Sequence, residues 1–375
     1  MMEFIQIVIL SILLLILVNL LQNIKRLSGQ KNIKPQQPYP LVSVLIPARN
    51  EERNIKKCLT SLLKSSYPRM EIIVCDDNSS DRTYEEARKL SAGEGKIKVI
   101  KGKKLPPGWT GKNWTCHQLA LAARGEWFLF TDADTWHKSL SVFTALASAQ
   151  RTRSVFVTCV PGLAAKTWSE KLFMPVIHFA FLALIPFKLI NYSKDSRFSF
   201  GIGPFLMVKK NFYFSCGGHE GIKSKIVDDM ALAKKVKENN GKISVIDGTP
   251  IMKVRFYTCF KELWKGFSKN CYEAIGGVPH YLAAVFLACY FLFIYPYLSL
   301  GERVVSRQNI TLPLLQVLTL LLVRMILSVR FRTSLIYGFL HPLTILLALS
   351  ILLNSWRLSF FKKKVEWKER YYLAE

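Results

Sequence analysis

"FIQIVILSILLLILVNLL", residues 4–21, contains no charged side chain. A helix of that length is long enough to span the hydrocarbon core of a bilayer, so one end of this chain belongs to lipid before anything else is decided. Three more apolar runs, 281–300, 310–329 and 334–353, lie near the other end. No basic residue precedes the first run and no small-residue cleavage site follows it, so it reads as an anchor rather than a removed signal. The 375 residues then divide into an anchor (1–24), a proline-containing linker (25–40), a polar domain (41–279), C-terminal membrane segments (280–355) and a basic tail (356–375).

The formal net charge is +26. In a soluble chain that excess would suggest nucleic acid. Here Lys25, Arg26, Lys31 and Lys34 follow the first span directly, and basic residues beside a span mark the cytoplasmic side. The charge is therefore assigned to membrane lipids with anionic headgroups and to polyphosphate substrates, with no nucleic-acid partner expected. The eight cysteines contain no C-x-x-C pair, which argues against a zinc knuckle or a disulfide framework and fits reduced cytoplasmic thiols. Three full crossings at the C-terminal end would put the tail "RLSFFKKKVEWKER" outside, so one of those segments is expected to be re-entrant or interfacial. Arg324, inside an apolar run, is expected to face protein or an interface.

The polar domain has a rhythm. "VSVLI" (42–46), "EIIVC" (71–75), "KIKVI" (96–100) and "EWFLF" (126–130) read as buried strands. Between them lie helical patterns at 50–65, 82–91 and 113–123, the first with Glu51 and Glu52 in its opening turn where the dipole favours acids. Strands alternating with helices predict an α/β fold with a mainly parallel sheet covered on both faces. Residues 168–190, aromatic-rich and broken by Pro175 and Pro186, are expected to lie in the membrane interface. A further helix is expected near Asp228 and a strand at 243–247.

In such sheets ligands bind beyond the carboxyl ends of the strands, and that is where the polar clusters fall. "PARNEE" follows the first strand, "DDNSSD" the second and "TDADT" the fourth. Asp132 and Asp134 can together present oxygens to a hard cation, Mg²⁺ or Mn²⁺, whose shell is completed by water and phosphate; alternatively one of them caps the helix after Trp136. Asp81 suits the N-cap of the helix at 82–91. Asp76 and Asp77 cannot both be caps, and acceptor oxygens there suit the donors of a nucleobase or ribose. Asp228 and Asp229 open a helix, as caps or as functional acids. The six histidines share no ligand spacing and are expected to be structural.

The ordered motifs "VSVLIPARNEE", "IIVCDDNSSDRT", "GKNWTCHQLALAARGEWFLFTDADT", "CGGHEG" and "IVDDMALAKKVKENNGK" resemble the catalytic domain of inverting family 2 glycosyltransferases with the GT-A fold. The flanking spans, the loop "LPPGWTGKNWTCHQLA" and the tail "VEWKERYY" are similar to the carotenoid and hopanoid-type members. The resemblance implies a nucleotide-sugar donor, held by Pro47, Glu51, Asp76, Asp77, Lys112 and Asp132. It implies a metal at Asp134 and Asp132, a general base at Asp229 with Asp228 beside it, and acceptor-side contacts at Trp109, Trp264 and Lys269. The implied reaction moves a hexose, glucose from UDP-glucose in the first instance, onto a lipid-soluble acceptor such as a carotenoid carboxylic acid. A glycerolipid, hopanoid or polyprenyl phosphate is the alternative acceptor; a non-catalytic membrane binding protein or transporter is the alternative class. "KELWKGFSKN" (261–270) stands where processive members carry Gln/Arg-x-x-Arg-Trp, which makes polymer synthesis doubtful, and His117 replaces a family asparagine.

Overall fold

The computed structural model describes residues 2–28, 35–361, 364–367 and 370–373. They fall into two compact units. One comprises Leu27–Ala164 and Phe187–Phe256; the other comprises Met1–Arg26, Ala165–Pro186 and Tyr257–Glu375. The chain opens with α1 (Met2–Ser28), then β1 (Val42–Ala48), α2 (Ile55–Leu63), β2 (Met70–Asp76), α3 (Thr83–Ala92), β3 (Ile97–Lys101) and α4 (Gly111–Ala122). Next come β4 (Trp127–Phe130), β5 (Thr135–His137), α5 (Ser141–Thr152), β6 (Phe156–Leu163), α6 (Trp168–Phe179) and α7 (Phe187–Tyr192). After β7 (Leu206–Lys209), α8 (Lys210–Ser215), α9 (Asp228–Glu238) and β8 (Ile243–Val254), helices dominate. They are α10 (Phe260–Ala274), α11 (Pro279–Cys289), α12 (Tyr295–Val305), α13 (Thr311–Phe331), α14 (Ile336–Phe339) and α15 (His341–Phe360), followed by the antiparallel pair β9 (Lys364–Trp367) and β10 (Arg370–Leu373).

The first unit is built on one sheet in the order β3-β2-β1-β4-β7-β6-β8-β5. The first four strands run parallel, and β8 runs parallel to β6. β7 is antiparallel to both neighbours and β5 is antiparallel to β8, so the sheet is mixed where the sequence pattern predicts only its parallel part. Val42, Val44, Leu45 and Ile46 of β1 have no exposed surface, which is why this strand is continuously apolar rather than alternating. Each such side chain contributes ~1.5–3 kcal/mol of burial. Ile55, Cys58, Leu59 and Leu62 form the buried stripe of α2, at the helical spacing visible in the sequence.

Several local expectations need correction. Glu51 and Glu52 are not in the first turn of α2, because Asn50 adopts a left-handed conformation (φ 51°) and the chain turns before the helix starts at Ile55. Asp81 is not the N-cap of α3; Arg82 holds that position. The Asp81 carboxylate instead accepts from the backbone N–H groups of Thr83 and Glu52, joining the loops after β1 and β2. β8 is longer than expected, running to Val254 past an irregularity opposite Pro161 and Gly162.

In the second unit four helices, Glu3–Ser28, Pro279–Val305, Thr311–Phe331 and His341–Phe360, are long and apolar enough to cross a membrane. This fits a membrane protein. Their limits differ from the hydropathy runs. α1 continues beyond residue 24 and carries Lys25 and Arg26 in its last turn, while Lys31 and Lys34 lie outside the described residues. The last long helix begins at His341 rather than 334, with Pro342 in its first turn, where its missing N–H costs nothing. It extends to Phe360, into the expected tail, of which Lys362, Lys363, Lys368, Glu369 and the last two residues lie outside the described residues. The polar domain ends near Phe256 rather than 279, because α10 packs along α15.

Segment 168–190 is an interrupted helix. α6 starts with a capping box between Thr167 and Glu170, passes into a π-helical turn at Ala180–Leu184, and stops at Pro186. Its Phe173, Phe179 and Leu182 are buried against neighbouring helices of this unit, while Trp168 and Leu184 are exposed. Polar bonds explain the burial. Pro186 has no N–H to offer the Leu182 carbonyl, and the Asn23 amide on α1 donates to that oxygen at 2.9 Å and to the Ile185 carbonyl at 2.7 Å. Asn19 donates to Ala183 at 2.9 Å. Asn23→Leu is expected to destabilise the protein by ~1–3 kcal/mol through the unpaired carbonyls. The measurement is the thermal midpoint in detergent, and an unchanged midpoint contradicts this account.

Candidate active site

The carboxyl end of β2 delivers Asp76 and Asp77, 5% and 3% exposed. Asp77 N–H donates to the Ala48 carbonyl at 2.7 Å, coupling this loop to the end of β1. Arg49 Nη1 donates to the carbonyls of Asp77 and Asn78. Gly102 is needed alongside, since a Cβ there would stand 3.0 Å from the Asp76 carbonyl oxygen. Asp76 Oδ2 accepts from Ser79 N–H, but its buried Oδ1 has no hydrogen-bond partner. An unused buried acceptor at a strand end suits an N–H or O–H donor of a bound molecule. Pro47 sits in register with Cys75 on the adjoining strands.

A lysine joins the next two clusters. Lys112, in the first turn of α4, places Nζ 3.0 Å from Asp132 and 3.3 Å from Asp228. Thr110 caps this helix by accepting from Asn113 N–H. Burial disfavours the ammonium, yet Asp132 and Asp228 hold it well above the ordinary lysine range. Asp229 follows at the start of α9, with Oδ2 accepting from Gly203 N–H and Oδ1 from Met230 N–H, each at 2.8 Å. Burial and the neighbouring Asp228 push its pKa up to about 6, against the opposing pull of Lys112 and the two N–H groups. An acid poised there is half-ionised near pH 6, a useful range for a general base.

The remaining acids join through two buried thiols. Burial, then the charges of Asp134, Glu51 and Asp132, raise the Cys58 thiol, so all three carboxylates lie within electrostatic reach of it. Burial raises Cys75 to about 12, with Asp77 and Asp76 adding to it. Cys116 lies within electrostatic reach of Lys112, Asp228, Asp132 and Cys75. The structure thus brings Glu51, Asp76, Asp77, Lys112, Asp132, Asp134, Asp228 and Asp229 to one rim of the sheet. Neither Asp132 nor Asp134 caps a helix: β5 follows them, and α5 starts only at Ser141 with Leu140 in the cap position.

Trp109 packs with Trp114 and His117, ring centroids 5.1 Å apart in each pair. Trp264 and Lys269 stand on α10, in the other unit, where Trp264 packs with Phe260. His137 and His219 are fully buried, and burial lowers them to about 4 and about 3, so both are neutral structural groups near pH 7. Among the described residues, no group of three or more His, Cys, Asp or Glu side chains is arranged to hold a metal ion. The site offers the carboxylate pair Asp132 and Asp134, a donor set that suits a hard cation sharing its shell with a substrate phosphate.

Two functional positions are new. Gly203, in "GIGPF" (201–205), lies against the acid–lysine pair: a Cβ there would stand 2.9 Å from Asp132 Oδ2 and 3.0 Å from Lys112 Nζ, so a side chain would push these two tips aside. The Gly-x-Gly-Pro pattern was legible, but nothing local says which acids it would touch. Asn113, fully buried, donates from its amide to the carbonyls of Ile222, Lys223 and Lys225 and so pins the loop leading into Asp228. Asn113→Ala is expected to cost ~1–3 kcal/mol locally. Backbone hydrogen exchange at 222–228 should accelerate by tenfold or more, and an unchanged rate there would reject the pinning role.

Comparison with known proteins agrees with this geometry. Residues 43–214 match the family model Glycosyl transferase family 2. The chain is 27% identical over 257 residues to the 4,4'-diaponeurosporenoate glycosyltransferase of Staphylococcus haemolyticus (strain JCSC1435), covering 66% of this chain and 65% of that relative. It is 25% identical over 340 residues to the protein of the same name from Staphylococcus aureus (strain MRSA252), covering 89% and 88% respectively. The mannosyltransferase PcManGT from Pyrobaculum calidifontis, solved in complex with GDP-Man and Mn²⁺, superposes with a TM-score of 0.55 at 16% identity, over 97% of this chain and 100% of that one. At that identity the likeness is one of fold. A mostly parallel GT-A sheet, this order of acids and the match over residues 43–214 support a family 2 glycosyltransferase domain in this chain.

Proposed function

We propose that this protein transfers a hexose, glucose from UDP-glucose as the leading case, onto a lipid-soluble acceptor with inversion at the anomeric carbon. The observation that carries the reading is the Lys112 bridge between Asp132 and Asp228, with Asp229 poised beside it. Asp76, Asp77, Pro47 and Glu51 are assigned to the nucleotide. Asp132 and Asp134 would hold Mg²⁺ or Mn²⁺, which supplies charge neutralisation on the diphosphate when bound. Lys112 adds a second positive charge for the same leaving group. Asp229 takes the proton of an acceptor hydroxyl as its oxygen bonds to the anomeric carbon and the bond from that carbon to the diphosphate breaks.

The curated relatives' name points to a carotenoid carboxylic acid as acceptor. Such an acid is already ionised near neutral pH, so Asp229 would position it more than deprotonate it. A glycerolipid, hopanoid or polyprenyl phosphate is the second acceptor class, and Trp109, with Trp264 and Lys269 on α10, is assigned to acceptor contact. The long apolar helices suit an acceptor that stays in the bilayer, and the basic flank Lys25 and Arg26 supports a cytoplasmic catalytic domain. A pure transporter is disfavoured because transporters set ionisable groups at sites within their spans, whereas the acids here gather at a sheet rim.

Four measurements test the proposal. Mn²⁺-dependent hydrolysis of UDP-glucose by the purified protein should be present and should fall at least a hundredfold in Asp134→Ala; absence of any nucleotide-sugar turnover in the unaltered protein rejects the enzyme reading. For a hydroxyl acceptor, kcat should rise with pH through about 6 as Asp229 loses its proton. Asp229→Asn should abolish that transfer yet reduce transfer to a carboxylate only several-fold, and equal loss on both acceptors contradicts the assigned role. Gly203→Ala should lower kcat by at least tenfold, since the added methyl displaces Asp132 and Lys112 together; full activity would mean that their contact is dispensable.

A further inference from the structure

The apolar unit holds polar groups that glycosyl transfer leaves unused. Arg324, on α13, is 1% exposed. Its Nη1 donates to the Pro175 carbonyl at 3.2 Å, while Nε and Nη2 are buried without a hydrogen-bond partner. The guanidinium carbon stands 5.9 Å from the centroid of the Phe179 ring. His341, the first residue of α15, packs on the same ring at 4.9 Å and on Phe293 at 5.6 Å. It is fully buried, and neither ring nitrogen has a partner. Tyr297, on α12, buries its hydroxyl unpartnered as well. His341 and Tyr297 both lie within electrostatic reach of Arg324. Among the described residues, no Asp or Glu lies within ion-pair distance of Arg324.

Buried polar groups in folded proteins are nearly always hydrogen-bonded, and their exceptions need a reason. A guanidinium has five N–H donors and no acceptor, in a planar fork that matches carboxylate or phosphate oxygens. Three donor-bearing side chains from α12, α13 and α15, walled by Phe179 and Phe293 and lacking any carboxylate, form the chemical complement of an oxyanion. An ionisable residue within a span, with no carboxylate paired to it among the described residues, is a candidate functional site. Arg324 stands two turns, about 10 Å, before the end of α13, where Arg330 and Arg332 follow, so the headgroup level of a bilayer is close.

We propose that Arg324, His341 and Tyr297 bind the oxyanion, phosphate or carboxylate, of a membrane-soluble molecule. The site does not rest on the proposed glycosyl transfer, because binding is read without a sugar donor. The test titrates the full-length protein in detergent with dioleoylphosphatidylglycerol, oleic acid and oleyl alcohol, following the melting temperature. Ligand binding to the native state raises it in a saturable way. Oleyl alcohol should give no shift. A shift with phosphatidylglycerol alone identifies a phosphodiester headgroup, and one with oleate alone a lipid carboxylate; a shift with both identifies a site for oxyanions in general.

Arg324→Met should bind the active probe at least tenfold more weakly, while its own melting temperature without probe stays level or rises, since an uncompensated charge is removed. Should that variant not fold, Tyr297→Phe keeps the test open, with an expected loss of about threefold or more in affinity. The proposal is overturned if neither anionic probe shifts the unaltered protein, or if the folded variants respond as it does. Nucleotide-sugar turnover is unaffected by either outcome as evidence, so failure here leaves the catalytic reading standing.

Discussion

The Lys112 ammonium is the interaction around which the catalytic unit is arranged. Carboxylates from the end of β4 and the start of α9 would repel one another if brought together alone. One lysine, set at the first turn of α4 and touching both Asp132 and Asp228, makes their convergence favourable. Removing it would leave acids partly buried and uncompensated, which costs more than the pair contributes. In the proposed reaction the same ammonium would also supply positive charge to the departing diphosphate, so one side chain would serve both the fold and that chemistry.

Around that point the backbone does as much as the side chains. Gly203 N–H donates to Asp229, and the absence of a Cβ at Gly203 lets Asp132 and Lys112 approach. Asn113, one residue after Lys112, holds the loop that leads into Asp228. α4 thereby positions the lysine directly and the α9 acids indirectly. Asp229 owes its raised pKa first to burial and then to Asp228, two consequences of the same convergence.

The apolar unit follows a different rule, because lipid offers no hydrogen bonds. Where Pro186 leaves a carbonyl without its helical partner, Asn23 supplies the donor from another helix. Gln316 donates to the backbone of Gln6, and Gln6 to Ser299, so α1, α12 and α13 are also joined by amides. Gln6 and Gln316 each leave one buried amide oxygen without a partner, whereas Arg324, His341 and Tyr297 leave N–H and O–H groups unpaired.

Much of this was legible from residues alone. Apolar runs too long for a globular core announced the membrane helices, and alternating strands and helices announced the sheet, because local hydrophobic period is a local property. Even the acids at strand ends were identifiable, since a buried strand that stops at charges must stop at a surface. Helix limits were not, because capping and the turn at Asn50 depend on contacts with other loops. Segment 168–190 was legible as an aromatic-rich run broken by Pro175 and Pro186; that its freed carbonyls meet amides about 160 residues away, on α1, was not. β7 and β5, whose antiparallel pairing no local pattern encodes, belong to the same class. Sequence by itself determined which residues carry charge, which runs avoid water and which family the order of motifs resembles. Only the tertiary structure decided that Asp132, Asp228 and Lys112 meet, that a Cβ at Gly203 would press on Asp132 and Lys112, and that no carboxylate among the described residues pairs with Arg324. These are distances between parts of the chain remote in sequence, and packing alone sets them.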